Sequence, residues 1–174
     1  MTNDKAQMTK NIVLVGFMGA GKSSVARQLA GILKRELVST DDLIEAREGK
    51  KIADIFAQRG EPYFRLVESQ VVREISGCPG RIIDCGGGVV LDPENVAALK
   101  GKGTLIYLKA SAEFIYECVK GQTHRPLLRV ADPLAAIREL LKKRQPFYEK
   151  ADIILDTDRR SIEWITQEIL KVIC

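Results

Sequence analysis

The sequence predicts an α/β protein, a doubly wound five-stranded parallel sheet flanked by helices, and three observations predict it. Short β-branched apolar runs alternate with helical patterns along the chain. Several helical patterns open on readable caps. The first apolar run passes directly into the turn Gly16 to Ser23, which reads G-F-M-G-A-G-K-S. Strands separated by helices need crossover connections, which favour parallel pairing with both faces of the sheet covered. The expected strands are Ile12 to Val15, Glu36 to Val38, Arg81 to Ile83, Thr104 to Leu108 and Ile153 to Leu155, all read as buried. Asp92-Pro93 and Asp132-Pro133 each set an N-cap carboxylate before a first-turn proline, and Ser111 precedes Ala112-Glu113 in the same role. In the last helix, Ile162, Ile165, Ile169 and Val172 recur at spacings of three and four, one apolar stripe to lay against a sheet.

The 174 residues suit one domain, 1–174, since no repeat and no linker rich in Pro, Gly or Ser interrupts them. At 45% hydrophobic and 29% charged the composition excludes disorder. A net charge of +4, with no Lys/Arg block, gives no reason to invoke nucleic acid. No apolar run approaches the roughly 20 residues needed to span a bilayer, and Met1 to Lys10 is too polar for a signal peptide. A cytoplasmic monomer with no membrane partner is expected. Cys78, Cys85, Cys118 and Cys174 lack metal or disulfide spacing and are read as reduced thiols. A single histidine, His124, leaves no room for a His-based triad or a multi-His metal site.

In such sheets ligands bind beyond the carboxyl ends of the strands, so the residues following each strand are candidates. After the first strand the pattern G-x-x-x-x-G-K-[ST] makes a nest of inward N–H groups at a helix start, Lys22 reaches the outer phosphates, and the Ser23 hydroxyl suits Mg²⁺. A nucleoside triphosphate and its metal are implied. After the second strand come Ser39-Thr40-Asp41-Asp42, and after the third Asp84-Cys85-Gly86-Gly87-Gly88. The absence of a guanine-reading N-K-x-D motif and the small size favour a small-molecule kinase over a switch or motor. Such an enzyme needs a cover against water. The segment from Lys120 to Ala131 reads as that lid, with Arg125 delivered on closure to the transferred phosphoryl group. Arg65 and Arg144 are candidates for recognising an acidic acceptor, because guanidinium groups suit bidentate carboxylate binding. Glu68, three residues beyond Arg65, would hold its guanidinium in place. Spacing alone favours a plainer reading of both arginines, an exposed helical ion pair and an arginine near a helix end.

Seven motifs in order carry a family resemblance: the phosphate loop with Ser24, T-D-x-x-I-E at Thr40 to Glu45, I-A-D-I-F at Ile52 to Phe56, E-x-x-F-R-x-x-E at Glu61 to Glu68, G-G-G at Gly86 to Gly88, R-P-L-L at Arg125 to Leu128 and R-x-P-x-Y at Arg144 to Tyr148. From Asn11 to its end the chain resembles the shikimate kinases. The resemblance implies a P-loop kinase fold and Mg²⁺-dependent transfer of the ATP γ-phosphoryl group to the 3-hydroxyl of shikimate, a step toward chorismate and the aromatic amino acids. It implies ATP held by Gly19, Ala20, Gly21, Lys22, Ser23, Ser24 and Arg125. It also implies shikimate held by Asp41, Arg65, Gly86, Gly87, Gly88 and Arg144, with a substrate-binding helical segment at about 40–76. Lys22, Asp41 and Arg125 would be the catalytic groups, Asp41 accepting a hydrogen bond from the attacking hydroxyl. Phe56 and Phe64 would move with that segment, or equally be plain core residues.

Two departures stand out. The family usually has Asp-x-Asp after the second strand, where this chain has Ser39-Thr40-Asp41, and Ser or Thr two residues before the triple glycine, where it has Asp84. Asp84 is therefore expected to replace the missing carboxylate in the outer shell of the metal whose direct ligand is Ser23. Before the lid, Cys118 and Lys120 stand where many members place an arginine against adenine, which leaves Arg160 as the expected adenine-side contact. Gluconate kinases and a catalytically impaired nucleotide-binding homologue are the alternative readings.

Overall fold

A computed structural model describes residues 10–121 and 130–173. Its elements run β1 (Asn11–Val15), α1 (Lys22–Leu33), β2 (Leu37–Ser39), α2 (Thr40–Glu48), α3 (Ile52–Ser76), β3 (Ile82–Asp84), a 3₁₀ turn (Val89–Leu91), α4 (Pro93–Gly101), β4 (Gly103–Lys109), α5 (Ala112–Val119), α6 (Pro133–Tyr148), β5 (Ile153–Asp156) and α7 (Ile162–Ile173). The five strands form one parallel sheet in the order β2-β3-β1-β4-β5. The predicted α/β architecture is thus present, with strand limits displaced by a residue or so.

β1 is central and every residue in it is buried, which suits its unbroken apolar sequence. Leu14 pairs with Asp84, and Asp84 with Ser39, so one row crosses β1, β3 and β2 at their carboxyl ends. That row sets the phosphate loop, the start of α2 and the Gly86–Gly88 strip side by side. Ser39, Asp92, Ser111 and Asp132 accept hydrogen bonds from Asp42, Glu94, Phe114 and Ala135 amides respectively, as N-cap residues should.

Two features differ from the sequence expectation, and a third was not foreseen. β5 is an edge strand, and Ile154 is 46% exposed, because a strand with one neighbour has fewer elements to cover it. Ile165 and Ile169 are buried in α7 but Val172 is 52% exposed, so the apolar stripe outruns the sheet it covers. α3 is broken at Gly60, whose φ of 79° and ψ of 170° lie in a region essentially reserved for glycine, and Pro62 then starts the second half. Beyond the break, the half that carries Phe64, Arg65 and Glu68 brings Arg65 against Gly88 and Glu68 near Gly86.

Among the described residues no helix is long and apolar enough to cross a membrane. Among the described residues Cys78, Cys85 and Cys118 form no disulfide, and Cys174 lies outside the described residues. Most of the expected lid, including His124 and Arg125, also lies outside them.

Candidate active site

The phosphate loop links β1 to α1 through Gly19 and Gly21, both near φ +80°. A side chain at Gly19 would meet Val119 at 2.6 Å, so α5 backs the loop. Lys22 is 8% exposed and donates from Nζ to the Phe17 carbonyl of its own loop at 3.1 Å. Ser23 and Ser24 are exposed on the first turn of α1, where the N-terminal amides favour an anion.

A cavity of about 740 Å³ opens over this loop. It brings Gly19, Gly21, Lys22, Ser23 and Ser24 together with Asp41, Asp84, Gly86 and Gly87, and reaches Cys118. Ala20 is buried behind the loop, its amide donating to the Phe17 carbonyl at 3.3 Å. Arg160 is exposed and does not line the cavity. Its guanidinium lies 4.6 Å over the Trp164 ring. The segment nevertheless abuts the loop, since a side chain at Gly21 would meet Ile162 at 3.1 Å.

Asp41 sits in the first turn of α2. Burial raises its pKa, the Lys22 ammonium opposes the rise, and the Asp84, Asp42 and Glu45 carboxylates reinforce it. A proton acceptor with an elevated pKa beside a phosphate loop is suited to meet a hydroxyl. The neighbouring strip is backbone alone. A side chain at Gly86 would approach Asp41 Oδ1 to 2.5 Å, and one at Gly88 would collide with the Arg65 guanidinium. The Gly86 amide donates to Thr40 Oγ1 at 2.8 Å, and Tyr148 Oη donates to the Gly87 carbonyl at 2.5 Å.

Both candidate arginines reach this strip. Arg65 pairs with Glu68 at 2.7 Å and Glu61 at 3.0 Å. Glu68 is 1% exposed, and burial raises its pKa against the lowering effect of Arg65. Its Oε1 makes no hydrogen bond among the described residues. Arg144 NH1 stands 3.5 Å from the Gly87 carbonyl, and its guanidinium lies 5.8 Å from the Phe17 ring centroid. Its buried Nε also makes no hydrogen bond among the described residues. The helical ion pair of Arg65 that spacing favoured is present, but neither arginine is exposed: both are partly buried and reach the glycine strip. Phe64 is 4% exposed and packs against Phe56 in a tilted pair with centroids 4.6 Å apart, and the Arg65 guanidinium lies 5.2 Å over its ring.

The family model for shikimate kinase matches residues 18–174. The chain belongs to the shikimate kinase family. It is 43% identical to the shikimate kinase of Caldanaerobacter subterraneus subsp. tengcongensis over 93% of this chain and 95% of that one. It is 46% identical to that of Pelotomaculum thermopropionicum over 92% and 94%. The structure of shikimate kinase from Acinetobacter baumannii in complex with shikimate superposes with a TM-score of 0.90 at 36% identity, covering 98% and 96% of the two chains. A gluconokinase from Sinorhizobium meliloti, at 16% identity and a TM-score of 0.65, shares the fold alone. As a shikimate kinase family member, the chain is an ATP-dependent phosphotransferase.

For a shikimate kinase family site, the sequence reading left out Thr40 as the acceptor for the Gly86 amide and Tyr148 as the donor to Gly87. It also left out Phe17 beneath Arg144 and Arg27 on the cavity wall. Thr40 and Tyr148 lie inside motifs the sequence displays, but their partners are 46 and 61 residues away.

Proposed function

We propose that the chain transfers the γ-phosphoryl group of ATP to the 3-hydroxyl of shikimate. The observation that carries this reading is one cavity joining Lys22 and Ser23 to Asp41, Gly86 and Gly87, with Arg65 and Arg144 folded against the glycine strip. On this reading the loop amides of Gly19 to Ser24 and Lys22 bind the ATP phosphates, and Arg160 lies on the adenine side. Arg65 and Arg144 hold the acceptor carboxylate, Gly86 to Gly88 form the floor under its ring, and Asp41 accepts a hydrogen bond from the attacking hydroxyl. Arg125, outside the described residues, is assigned to the transferred phosphoryl group. Phosphoryl transfer through a loose transition state asks little of a base, so alignment by Asp41 and charge compensation by Lys22 supply most of the rate.

The donor set suits Mg²⁺, since the Ser23 hydroxyl and the Asp41, Asp42 and Asp84 carboxylates line one cavity and all offer hard oxygens. Among the described residues no cluster of His, Cys, Asp or Glu would cage a metal unaided. That agrees with an ion held chiefly by water and phosphate. Mg²⁺ bound with the nucleotide would offset phosphate charge. Ser23 is assigned as its protein ligand, and Asp84 as the carboxylate that holds its coordinated water in the place left by Ser39, its strand partner. Asp84→Asn is expected to raise the Mg²⁺ concentration for half-maximal turnover about tenfold, on the scale of an outer-shell loss. Ser39→Asp should restore it on the same background. A metal titration with both variants checks this, and an unchanged requirement in Asp84→Asn sinks the assignment.

The function itself is tested by ADP release from purified protein with ATP and Mg²⁺, comparing shikimate with gluconate, nucleoside monophosphates and no acceptor. Release with shikimate alone is expected. Turnover with another acceptor, or ATP binding without shikimate-dependent release, overturns the reading.

A further inference from the structure

Two donors on one face of α6 converge on one peptide. Tyr148 Oη donates to the Gly87 carbonyl at 2.5 Å, whereas Arg144 NH1 stands at 3.5 Å, the limit of a hydrogen bond. The residues are four apart, so one helical turn aims both at the same oxygen. The hydroxyl makes the short bond and the guanidinium only a long one to the same oxygen, with its Nε buried and without a hydrogen bond among the described residues. Tyr148 is fully buried, so it does not itself touch a ligand in the cavity. Its ring stacks on Tyr107 of β4 with centroids 4.8 Å apart and planes 15° apart, which fixes where the hydroxyl points.

We infer that Tyr148 is a positioning residue for acceptor recognition: by taking the short hydrogen bond to the Gly87 carbonyl it leaves the Arg144 guanidinium only a long, weak one there, and so available to the acceptor carboxylate. A partly buried carbonyl that loses its main donor gains by drawing another one closer. If the Tyr148 hydroxyl were removed, the nearest candidate donor is Arg144 NH1, already within 3.5 Å. An arginine drawn onto that carbonyl would have to leave it before binding an anion. Burial pushes the Tyr148 phenol up to about 12, so it remains a donor at any pH at which the protein works.

This inference rests on the proposed reaction, and its test separates the two. Wild type and Tyr148→Phe, which keeps the ring and its stack on Tyr107, are assayed with shikimate and with its methyl ester, which has no carboxylate. KM for shikimate is expected to rise about tenfold in Tyr148→Phe, the scale of one lost hydrogen bond. kcat, KM for ATP and KM for the ester should stay within about twofold. The rise should vanish when the same change is made in Arg144→Ala, because a residue acting through Arg144 has nothing to position once it is gone. Tyr148→4-aminophenylalanine, which retains a donor, should keep the wild-type KM. An unchanged shikimate KM, an equal loss on the ester, or an additive effect in Arg144→Ala overturns the inference. A variant that does not fold at all also overturns it, by making Tyr148 structural. A wild type inactive on shikimate overturns the function instead.

Discussion

Asp41→Asn is expected to lower kcat by about 10²–10³-fold, within the range for a positioned proton acceptor, while leaving the protein folded and more resistant to heat at neutral pH. The two effects have one origin. Burial raises the Asp41 pKa, and the Lys22 charge does not fully offset the rise. A carboxyl group with a higher pKa folded than unfolded takes up protons on folding. Its charged form therefore costs stability, a cost absent below the unfolded pKa and complete once the pH has risen through the folded one. Asparagine removes that cost but cannot accept a proton. Turnover of the wild type should fall as pH drops through the Asp41 pKa, at a higher pH than an ordinary aspartate would give. Because Asp84 contributes to the rise, its removal should move that limb to lower pH. Melting curves and pH–rate profiles of wild type and Asp41→Asn check the prediction, and a variant that loses turnover by losing its fold contradicts it.

Arg65→Ala should be the most damaging change on the acceptor side, because it combines a binding loss with a folding loss. The guanidinium is 25% exposed and Glu68 only 1%, so the pair is sheltered from screening. Removing the cation leaves a buried carboxylate with neither oxygen paired, since Glu68 Oε1 already lacks a partner among the described residues. Breaking a buried pair from one side costs about 3–5 kcal/mol. Loss of a charged contact to the acceptor should raise KM for shikimate by about 10²-fold. With the lowering influence of Arg65 gone, the Glu68 pKa rises further, so the variant should be more stable at mildly acidic than at neutral pH. Glu68→Gln on the same background should recover stability but not acceptor binding. Thermal melts at two pH values with steady-state kinetics decide the matter. An Arg65→Ala protein as stable as wild type would show that Glu68 does not depend on it.

What the sequence by itself determined is local. The strand runs, the caps at Asp92, Ser111 and Asp132, and the phosphate loop with its lysine and serine depend on residues a few positions apart. Backbone geometry and side-chain spacing act over that range, so these features are legible in one dimension. The Arg65–Glu68 pair was legible for the same reason, being i and i+3 on a helix. Whether that pair lay exposed or buried was not, because burial depends on where the break at Gly60 sends the rest of α3. Nor did the strand patterns tell a central strand from an edge one, so Ile154 lies exposed where burial was expected. Only the tertiary structure placed Asp84 level with Ser39 across two strands, and Tyr148 and Arg144 on one glycine carbonyl. Those relations join segments roughly 45 to 61 residues apart. They are set by sheet register and helix packing, which arise only when the apolar faces of all the elements are buried together.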